Sequence, residues 1–184
     1  MANSEKSSLR KVLLEKRDAT SEDLMKIASK QIHRNLKKIS EFRLASSIGM
    51  YYPMGSEVPT QDIMQEALSI GKEILLPKVI EKELEFRKIK DFNDLEKGSF
   101  DILEPKDDCT PSDKLDVILV PTVGISRDGY RLGYGYGYYD RFLAKNNAVT
   151  ISLTYAKQIV KSVPKTKDDV KIDWIVTEDN FFKT

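Results

Sequence analysis

Apolar residues recur at every third or fourth position in several segments of the chain, a pattern that predicts amphipathic helices. The first such segment runs from Ser4 to Arg17. Two shorter helices are predicted from Thr60 to Ile70 and from Tyr138 to Lys145. Another helix is predicted after Thr20 and Ser21, either of which can cap it. Its apolar residues follow the helical period: Leu24, Ile27, Ala28, Ile32, Leu36 and Ile39.

Other segments are short and apolar or alternate in polarity, as strands do. They are Ala45–Tyr52, Lys72–Val79, Glu83–Ile89, Leu115–Thr122, Val149–Tyr155 and Ile172–Val176. The run Leu115–Thr122 is the most apolar, which predicts a place at the centre of a sheet. Between the strands, Asp91–Gly98 is predicted as one helical turn and Glu104–Lys114 as a polar surface loop.

The order of these elements predicts the fold class. Strands separated by helices are typical of a three-layer α/β/α sandwich with a mostly parallel sheet. No repeat and no linker divides the chain, so residues 1–184 are predicted to form a single domain.

The charge balance limits the partners of the protein. Lys and Arg number 30 against 29 Asp and Glu, a net charge of +1, which argues against a general nucleic-acid coat. No apolar run approaches the roughly 20 residues that cross a bilayer, and no signal peptide is recognised at the N-terminus. The sequence therefore predicts a cytoplasmic protein with neither membrane nor nucleic-acid partners.

Only one cysteine, Cys109, and one histidine, His33, occur in the chain. An internal disulfide and a multi-cysteine zinc site are excluded, and histidine relays are reduced to one residue. We interpret His33 as structural, because it lies beside the apolar stripe of its helix. An enzyme with this composition would use carboxylates, Lys, Arg, Tyr and main-chain amides, with or without an oxygen-liganded metal.

The distinctive segment runs from Gly129 to Arg141 and reads G-Y-R-L-G-Y-G-Y-G-Y-Y-D-R. Its glycines alternate with tyrosines between a predicted strand and a predicted helix, where the main chain can approach a ligand closely and the helix start favours an anion. Arg131 adds a cation suited to phosphate. The spacing matches neither a Walker A sequence nor a dinucleotide fingerprint. The alternative is a glycine-rich turn whose tyrosines pack on the surface.

The string R-L-G-Y-G-Y-G-Y-Y-D-R resembles the signature of the 5-formyltetrahydrofolate cyclo-ligase family, also called methenyltetrahydrofolate synthetases. Further motifs of that family occur in the same order and extend the resemblance nearly from end to end. They are K-S-S-L-R at 6–10, Y-P-M-G-S-E-V-P-T at 52–60, E-P at 104–105, V-P-T-V-G at 120–124, and the tail from Val163-Pro164 to Glu178.

The resemblance implies a reaction in which ATP and 5-formyltetrahydrofolate give 5,10-methenyltetrahydrofolate, ADP and phosphate, with Mg²⁺ required. Phosphorylation of the formyl oxygen would give an imino-phosphate, which a neighbouring amine attacks as phosphate departs. A protein promotes such chemistry mainly by positioning reactants and neutralising negative charge. Catalytic histidine is therefore not needed.

The resemblance also implies where ATP binds. Lys6 and Arg10 are four apart and share a helix face, from which they would bind phosphates. The other implied ATP-binding residues belong to the glycine loop, and among them Arg131 and Tyr138 are the catalytic candidates. The loop residues are Arg131, Leu132, Gly133, Tyr134, Gly135, Tyr136, Gly137, Tyr138 and Tyr139.

A folate site and a metal site are implied next to it. Glu57 would accept hydrogen bonds from pterin N–H groups, and Tyr52 would supply an apolar wall. Asp140 and Asp169 match the family's Mg²⁺-associated carboxylates, and two such acids suffice when phosphate and water complete the shell. The same loop contributes the other implied substrate-binding residues: Tyr134, Gly135, Tyr136, Gly137 and Tyr138.

Structural alternatives stand beside these assignments. Lys6 and Arg10 also fit a solvated basic face, and Glu57 a surface acid. One of Tyr51 and Tyr52 is expected in the core, because neighbours on a strand point to opposite faces.

The acids and the loop leave further alternatives. Asp140 also fits a first-turn helix acid, and Asp169 a plain loop acid with Asp168 beside it as the other metal candidate. Tyr136 stands where relatives usually carry Gly or Lys, so that it either stacks on a ligand ring or points to solvent. Tyr138 and Tyr139 either form ligand walls or pack as buried aromatics.

Two other functions compete with the cyclo-ligase. One is a nucleotide- or folate-binding regulator without turnover, which the unusual Tyr136 keeps open. The other is an ATP-dependent enzyme of the same fold that acts on a related pterin. All three take small-molecule partners, and a monomer or weak dimer is expected.

Overall fold

Helices and strands follow one another along residues 2–184, the part of the chain that the computed structural model describes. The helices are α1 (Ala2–Asp18), α2 (Glu22–Leu36), α3 (Ser40–Leu44), α4 (Gln61–Ser69) and α5 (Tyr138–Leu143). The strands are β1 (Ser47–Gly49), β2 (Glu73–Ile80), β3 (Glu83–Ile89), β4 (Leu95–Lys97), β5 (Leu103–Pro105), β6 (Val117–Val120), β7 (Gly124–Ser126), β8 (Arg131–Leu132), β9 (Val149–Leu153), β10 (Ile159–Val160), β11 (Trp174–Val176) and β12 (Phe181–Lys183).

A seven-stranded sheet in the order β12-β11-β9-β6-β1-β2-β3 forms the centre of the molecule. The five strands from β11 to β2 are parallel to their neighbours, and the edge strands β12 and β3 are antiparallel. The predicted α/β class with a mostly parallel sheet is confirmed. The apolar run around β6 occupies the middle position, as predicted, because both of its faces are buried.

Side chains of each strand alternate between two hydrophobic clusters, one on each face of this sheet. On β6, Val117 and Leu119 belong to the cluster that α2, α3 and α4 cover, whereas Ile118 and Val120 belong to the other. That second face is covered by α5, through Leu143, and by a smaller sheet. The sandwich therefore has three layers, of which one combines a short helix with strands.

The smaller sheet, in the order β10-β7-β8, was not predicted from the sequence. Its strands have two or three residues, too few for a period to be recognised. Helix α1 packs on it through Leu13, whose Cδ1 occupies the space that a Cβ on Gly124 would need. Arg131 was predicted in the glycine loop, but it lies on β8 and is buried.

Strands β4 and β5 form an antiparallel pair, and β5 contacts β2 and β3. The predicted helical turn at Asp91–Gly98 is confirmed only for Phe92–Asp94, which form a 3₁₀ turn. The predicted loop Glu104–Lys114 is wrong at its start, because Glu104 and Pro105 belong to β5 and are buried. A strand of three residues gives little alternation to detect.

The predicted second helix is divided in the structure. Helix α2 ends at Leu36 and α3 begins at Ser40, with Ile39 in extended conformation between them. Ile39 is nevertheless buried, at 1% exposure. The pattern of apolar residues therefore indicated its burial, although it did not indicate the conformation of its main chain. None of the helices within residues 2–184 combines the length and the apolar character that crossing a membrane requires.

Candidate functional site

A cleft of about 660 Å³ opens at the carboxyl ends of the parallel strands, which is where open α/β sheets bind ligands. This volume is within the usual range for ligand pockets. Three predicted segments converge on it: the start of α1, the segment that follows β1, and the glycine loop from Gly133 to Gly137. Every residue that the sequence predicted for ATP, substrate or metal lines this cleft, except Asp168, the alternative metal candidate.

The glycine loop begins after β8 and ends where α5 starts. Gly135 and Gly137 have φ of +105° and +70°, values that residues with a Cβ rarely adopt. A Cβ on Gly135 would also lie 3.1 Å from the guanidinium of Arg10. Arg10 is held against the loop, because its Nε donates to the Gly133 carbonyl at 2.7 Å. The loop and α1 thus form one basic wall.

Lys6, Arg10, Leu13 and Arg17 form one stripe of α1, spaced by four, three and four residues, and the first two of them line the cleft. Leu13 anchors the stripe in the cluster of the smaller sheet, with Leu132 and Val163. Lys6 and Arg10 consequently project into the cleft, and the alternative of a solvated basic face is not what the structure shows. Leu132 is 1% exposed, so that its side chain belongs to the core.

Arg131 presents donors that no group in the described residues uses. Its side chain is 4% exposed, and its Nε and Nη2 are buried without a hydrogen-bond partner. Nη2 lies 3.2 Å from the Asp140 carboxylate without hydrogen-bond geometry, and the guanidinium lies 5.6 Å from the ring centre of Tyr139. A buried N–H without a partner is unfavourable, so this arginine is poised to bind an anion.

The two predicted metal-binding carboxylates are each held by a predicted phosphate-binding cation. Lys6 Nζ lies 2.6 and 2.7 Å from the oxygens of Asp169, and Arg131 lies beside Asp140. The main-chain N–H of Val170, next to Asp169, donates to Asp140 at 3.2 Å, which ties the two acids together. Lys6 and a main-chain bond from Thr166 lower the pKa of Asp169 against the opposing effect of burial. Asp168 is exposed and is absent from the cleft.

Glu57 is a buried acid, 7% exposed, in the turn that follows β1. Its Oε2 accepts the main-chain N–H of Met54 at 2.8 Å, while Oε1 is buried without a partner. Burial raises the pKa of Glu57 to about 7, against the opposing effects of the Met54 N–H, the positive charge of Arg17 and the Tyr134 hydroxyl. The alternative of a surface acid is wrong.

Hydrogen bonds within the segment fix this turn. The Tyr51 hydroxyl donates to the Val58 carbonyl at 2.8 Å, and the Thr60 hydroxyl donates to the Tyr51 carbonyl at 2.6 Å. Tyr51 is the core tyrosine of the expected pair, at 3% exposure, whereas Tyr52 is half-buried at the cleft. Glu57 therefore has a rigid support.

The loop tyrosines differ in their surroundings. Tyr136 is 55% exposed and stacks on Tyr138 with ring centres 5.6 Å apart, so it lies at the mouth of the cleft. Tyr139 packs with the second-face cluster, and its buried hydroxyl has no partner among the described residues. Burial raises the pKa of Tyr139. Tyr134 accepts a hydrogen bond from Arg17 Nη2 at 2.8 Å.

Sequence reasoning missed two features of the site. The first is Arg17, which is only 2% exposed. Its spacing from Lys6 and Arg10 was the available signal. The second is an apolar wall opposite the glycine loop, and long-range contacts bring its residues together: Pro77, Val79, Leu84, Ile102 and Leu103, with the buried Glu104 beside them. His33 is not at the cleft, and its Nε2 lies 2.8 Å from the Pro59 carbonyl, which agrees with a structural role.

Comparisons with known proteins agree with the family resemblance of the sequence motifs. The model of the 5-formyltetrahydrofolate cyclo-ligase family matches residues 2–178. A protein of Caenorhabditis elegans named probable 5-formyltetrahydrofolate cyclo-ligase is 27% identical, covering 94% of this chain and 95% of its own. The solved 5,10-methenyltetrahydrofolate synthetase of Aquifex aeolicus has a TM-score of 0.86 at 34% identity, covering 97% of this chain and 92% of its own. The corresponding synthetase of Mycoplasma pneumoniae has a TM-score of 0.77 at 27% identity, covering 94% and 98%.

Proposed function

Because the chain belongs to the 5-formyltetrahydrofolate cyclo-ligase family, we propose that it converts 5-formyltetrahydrofolate to 5,10-methenyltetrahydrofolate as ATP gives ADP and phosphate. One observation carries the proposal. A single cleft holds three cations suited to phosphate, Lys6, Arg10 and Arg131, together with the buried carboxylate of Glu57. A site for one ligand alone would not need both sets.

The proposed reaction has two steps. The formyl oxygen attacks the terminal phosphorus of ATP, and the bond to ADP breaks, which leaves an imino-phosphate on the folate. The neighbouring amine of the same molecule then attacks the former formyl carbon and loses its proton, and the bond from that carbon to the phosphate oxygen breaks, which closes the ring and releases phosphate. Both steps place negative charge on departing phosphate oxygens, so fixed cations and close positioning are the protein's main contribution.

The residues of the cleft fit these tasks. Lys6 and Arg10 bind the polyphosphate beside the glycine loop, and the unpartnered N–H groups of Arg131 bind the oxygens that transfer. Glu57 Oε1 accepts an N–H of the pterin ring. Tyr138 and Tyr52 bound the reacting groups and exclude water from them.

The carboxylate set fits Mg²⁺ only together with a phosphate ligand. Among the described residues, no group of three or more His, Cys, Asp or Glu side chains is arranged to hold a metal ion. Asp140 and Asp169 would supply protein oxygens, and phosphate and water would supply the others, as is usual for Mg²⁺. The ion would neutralise charge on the phosphates.

The proposed activity is tested with purified protein, ATP, Mg²⁺ and 5-formyltetrahydrofolate. We expect a product with the conjugated chromophore of the methenyl group, followed by its absorbance, and one ADP per product. Reactions without ATP, and reactions with tetrahydrofolate lacking the formyl group, are the controls. Tight binding of both ligands without product would instead support a regulator, and turnover only with another formylated pterin would support a related enzyme.

ATP and Mg²⁺ are expected to bind cooperatively. Each should bind weakly when the other is absent. Without ligands, Lys6 neutralises Asp169 and Arg131 lies beside Asp140, so either ligand alone leaves one partner of each pair uncompensated. We expect Mg²⁺ with ATP to raise Tm by about 5–10 °C at a hundredfold excess over Kd. ATP with a chelator, or Mg²⁺ alone, is expected to raise Tm by less than about 1 °C.

An isosteric variant sharpens this prediction. Asp169→Asn frees Lys6, so that ATP with a chelator should stabilise this variant more than it stabilises the unmodified protein. Asp168→Asn, at the exposed neighbouring position, is the matched control and should behave as the unmodified protein does. A full stabilisation of the unmodified protein by metal-free ATP would contradict the coupling.

The other expectations stay predictions. These are a single domain over residues 1–184, a cytoplasmic location, a monomer or weak dimer, and the absence of nucleic-acid and membrane partners. The near-neutral net charge of +1 supports the absence of a nucleic-acid partner.

A further inference from the structure

Arg17 is a buried cation for which the proposed chemistry gives no direct task. It is 2% exposed and is not part of the cleft lining. Within 4 Å it has only one carboxylate among the described residues, that of Asp18, which lies 3.9 Å from Nε and is itself 62% exposed. A buried guanidinium without a close counter-ion is unfavourable, so another requirement must keep it there.

The contacts of Arg17 connect three segments that supply the predicted ligands. From α1, its Nε donates to the Ser56 hydroxyl at 2.7 Å, and its Nη2 donates to the Tyr134 hydroxyl at 2.8 Å. Ser56 precedes Glu57 and also bonds the Asp18 carboxylate. The guanidinium thus fixes the turn that carries Glu57 and the glycine loop at the same time.

Arg17 also acts on Glu57 through its charge. The groups that face Glu57 are Arg17 from α1, Tyr134 from the glycine loop, Tyr51 after β1 and Tyr139 from α5. Arg17 is the cation of this set, and it lowers the pKa of the Glu57 carboxyl, which burial raises. Glu57 Oε1, at the cleft, and Arg17 Nη1 are both buried without hydrogen-bond partners among the described residues.

We propose that Arg17 is a positioning residue for folate binding: its guanidinium holds the Ser56–Glu57 turn and the Tyr134 hydroxyl where the ionised Glu57 carboxylate accepts the N–H groups of a pterin. The proposal rests on the proposed function, because it assigns Glu57 to the folate. Arg17 itself does not touch the reacting atoms.

The test compares Arg17→Met, Arg17→Lys and Tyr134→Phe with the matched control Lys11→Met, an exposed cation of the same helix. Arg17→Met should raise KM for 5-formyltetrahydrofolate about tenfold or more, with a much smaller change in KM for ATP and in kcat. Tm should not fall greatly, since an apolar replacement of a buried ion is often tolerated. Tyr134→Phe should raise the same KM, and the double variant should be less impaired than the two effects combined.

The pH profile separates charge from position. Loss of the Arg17 charge favours the protonated form of Glu57, so in Arg17→Met the fall of folate affinity toward acid should begin at a higher pH. Arg17→Lys keeps the charge, so its profile should stay near that of the unmodified protein while KM remains raised by the lost fork of donors.

The possible results are distinct. In the first result, the unmodified protein converts the folate, and Arg17→Met has the same KM and pH profile as Lys11→Met. This result overturns the proposal and leaves the proposed function intact. An Arg17→Met variant whose only change is a lower folded fraction, with both KM values normal, overturns it as well. An unmodified protein that neither binds nor converts the folate overturns the proposed function and this proposal with it.

Discussion

Arg131→Met is expected to lower kcat by about 10²–10³-fold while the protein stays folded. Arg131 has two buried donors without hydrogen-bond partners at the cleft, and methionine fills a similar volume without them. Donors fixed before the reaction stabilise transferring phosphoryl oxygens at no cost of reorganisation, which is why the loss falls on turnover. Steady-state kinetics under saturating ATP and folate measure the effect.

The fold should tolerate this change, although Arg131 lies on a strand. Asp140 keeps the hydrogen bond from the Val170 N–H, and its side chain is 20% exposed, so it is not left buried and unpaired. Arg127→Met, in the turn of the same β7–β8 hairpin, is the matched control, because Arg127 is exposed and its guanidinium lies over the Phe182 ring. Equal kcat in the two variants would show that Arg131 has no role in turnover.

Glu57→Gln is expected to weaken folate binding by about one to two orders of magnitude and to change how two properties depend on pH. In the unmodified protein, folate affinity should rise about tenfold between pH 6 and pH 8, because the Glu57 carboxyl, with a pKa of about 7, loses its proton there. The amide does not titrate, so the variant should show no such rise. Calorimetry with 5-formyltetrahydrofolate across this range measures both effects.

As pH rises, the free energy of unfolding should decrease, whereas folate affinity increases. The carboxyl of Glu57 has a pKa near 4.5 when unfolded and about 7 when folded, so the folded state binds more protons between these values. The free energy of unfolding should therefore fall as pH rises from about 4.5 to about 7, by up to about 3 kcal/mol from this group. Glu57→Gln should remove that part of the slope, and Glu66→Gln, at an exposed position of α4, should keep it. An identical slope in Glu57→Gln would contradict the buried titration.

Six of the seven strands of the large sheet were predictable because each one shows its burial locally, whereas the edge strand β12, with three residues, was missed. Strand β6 has four successive buried residues, and its central place follows from that run alone. The ladders of β2 and β3 are long enough for their alternation to be seen. Strands of two or three residues, such as β8 and β10, show no period, so the smaller sheet and the hairpin of β4 and β5 were missed.

The candidate site divides in a similar way. Lys6, Arg10, Glu57 and the glycine loop were found because each lies in a short motif whose members are close in sequence. Arg17 was missed because an arginine in a helical pattern counts as polar and therefore as exposed. Its burial depends on Ser56 and Tyr134, which are 39 and 117 residues away.

The sequence by itself determined the family, the parallel sheet and the identity of the glycine loop that lines the cleft. It did so because periodicity and motif spacing are local properties of the chain. Only the tertiary structure decided which charges meet. Lys6 pairs with Asp169 across 163 residues. Arg131, on a buried strand, lies beside Asp140 of α5. Glu57 is desolvated near the positive charge of Arg17. Charge pairing and desolvation depend on distances in space, and no pattern along the chain encodes those distances directly.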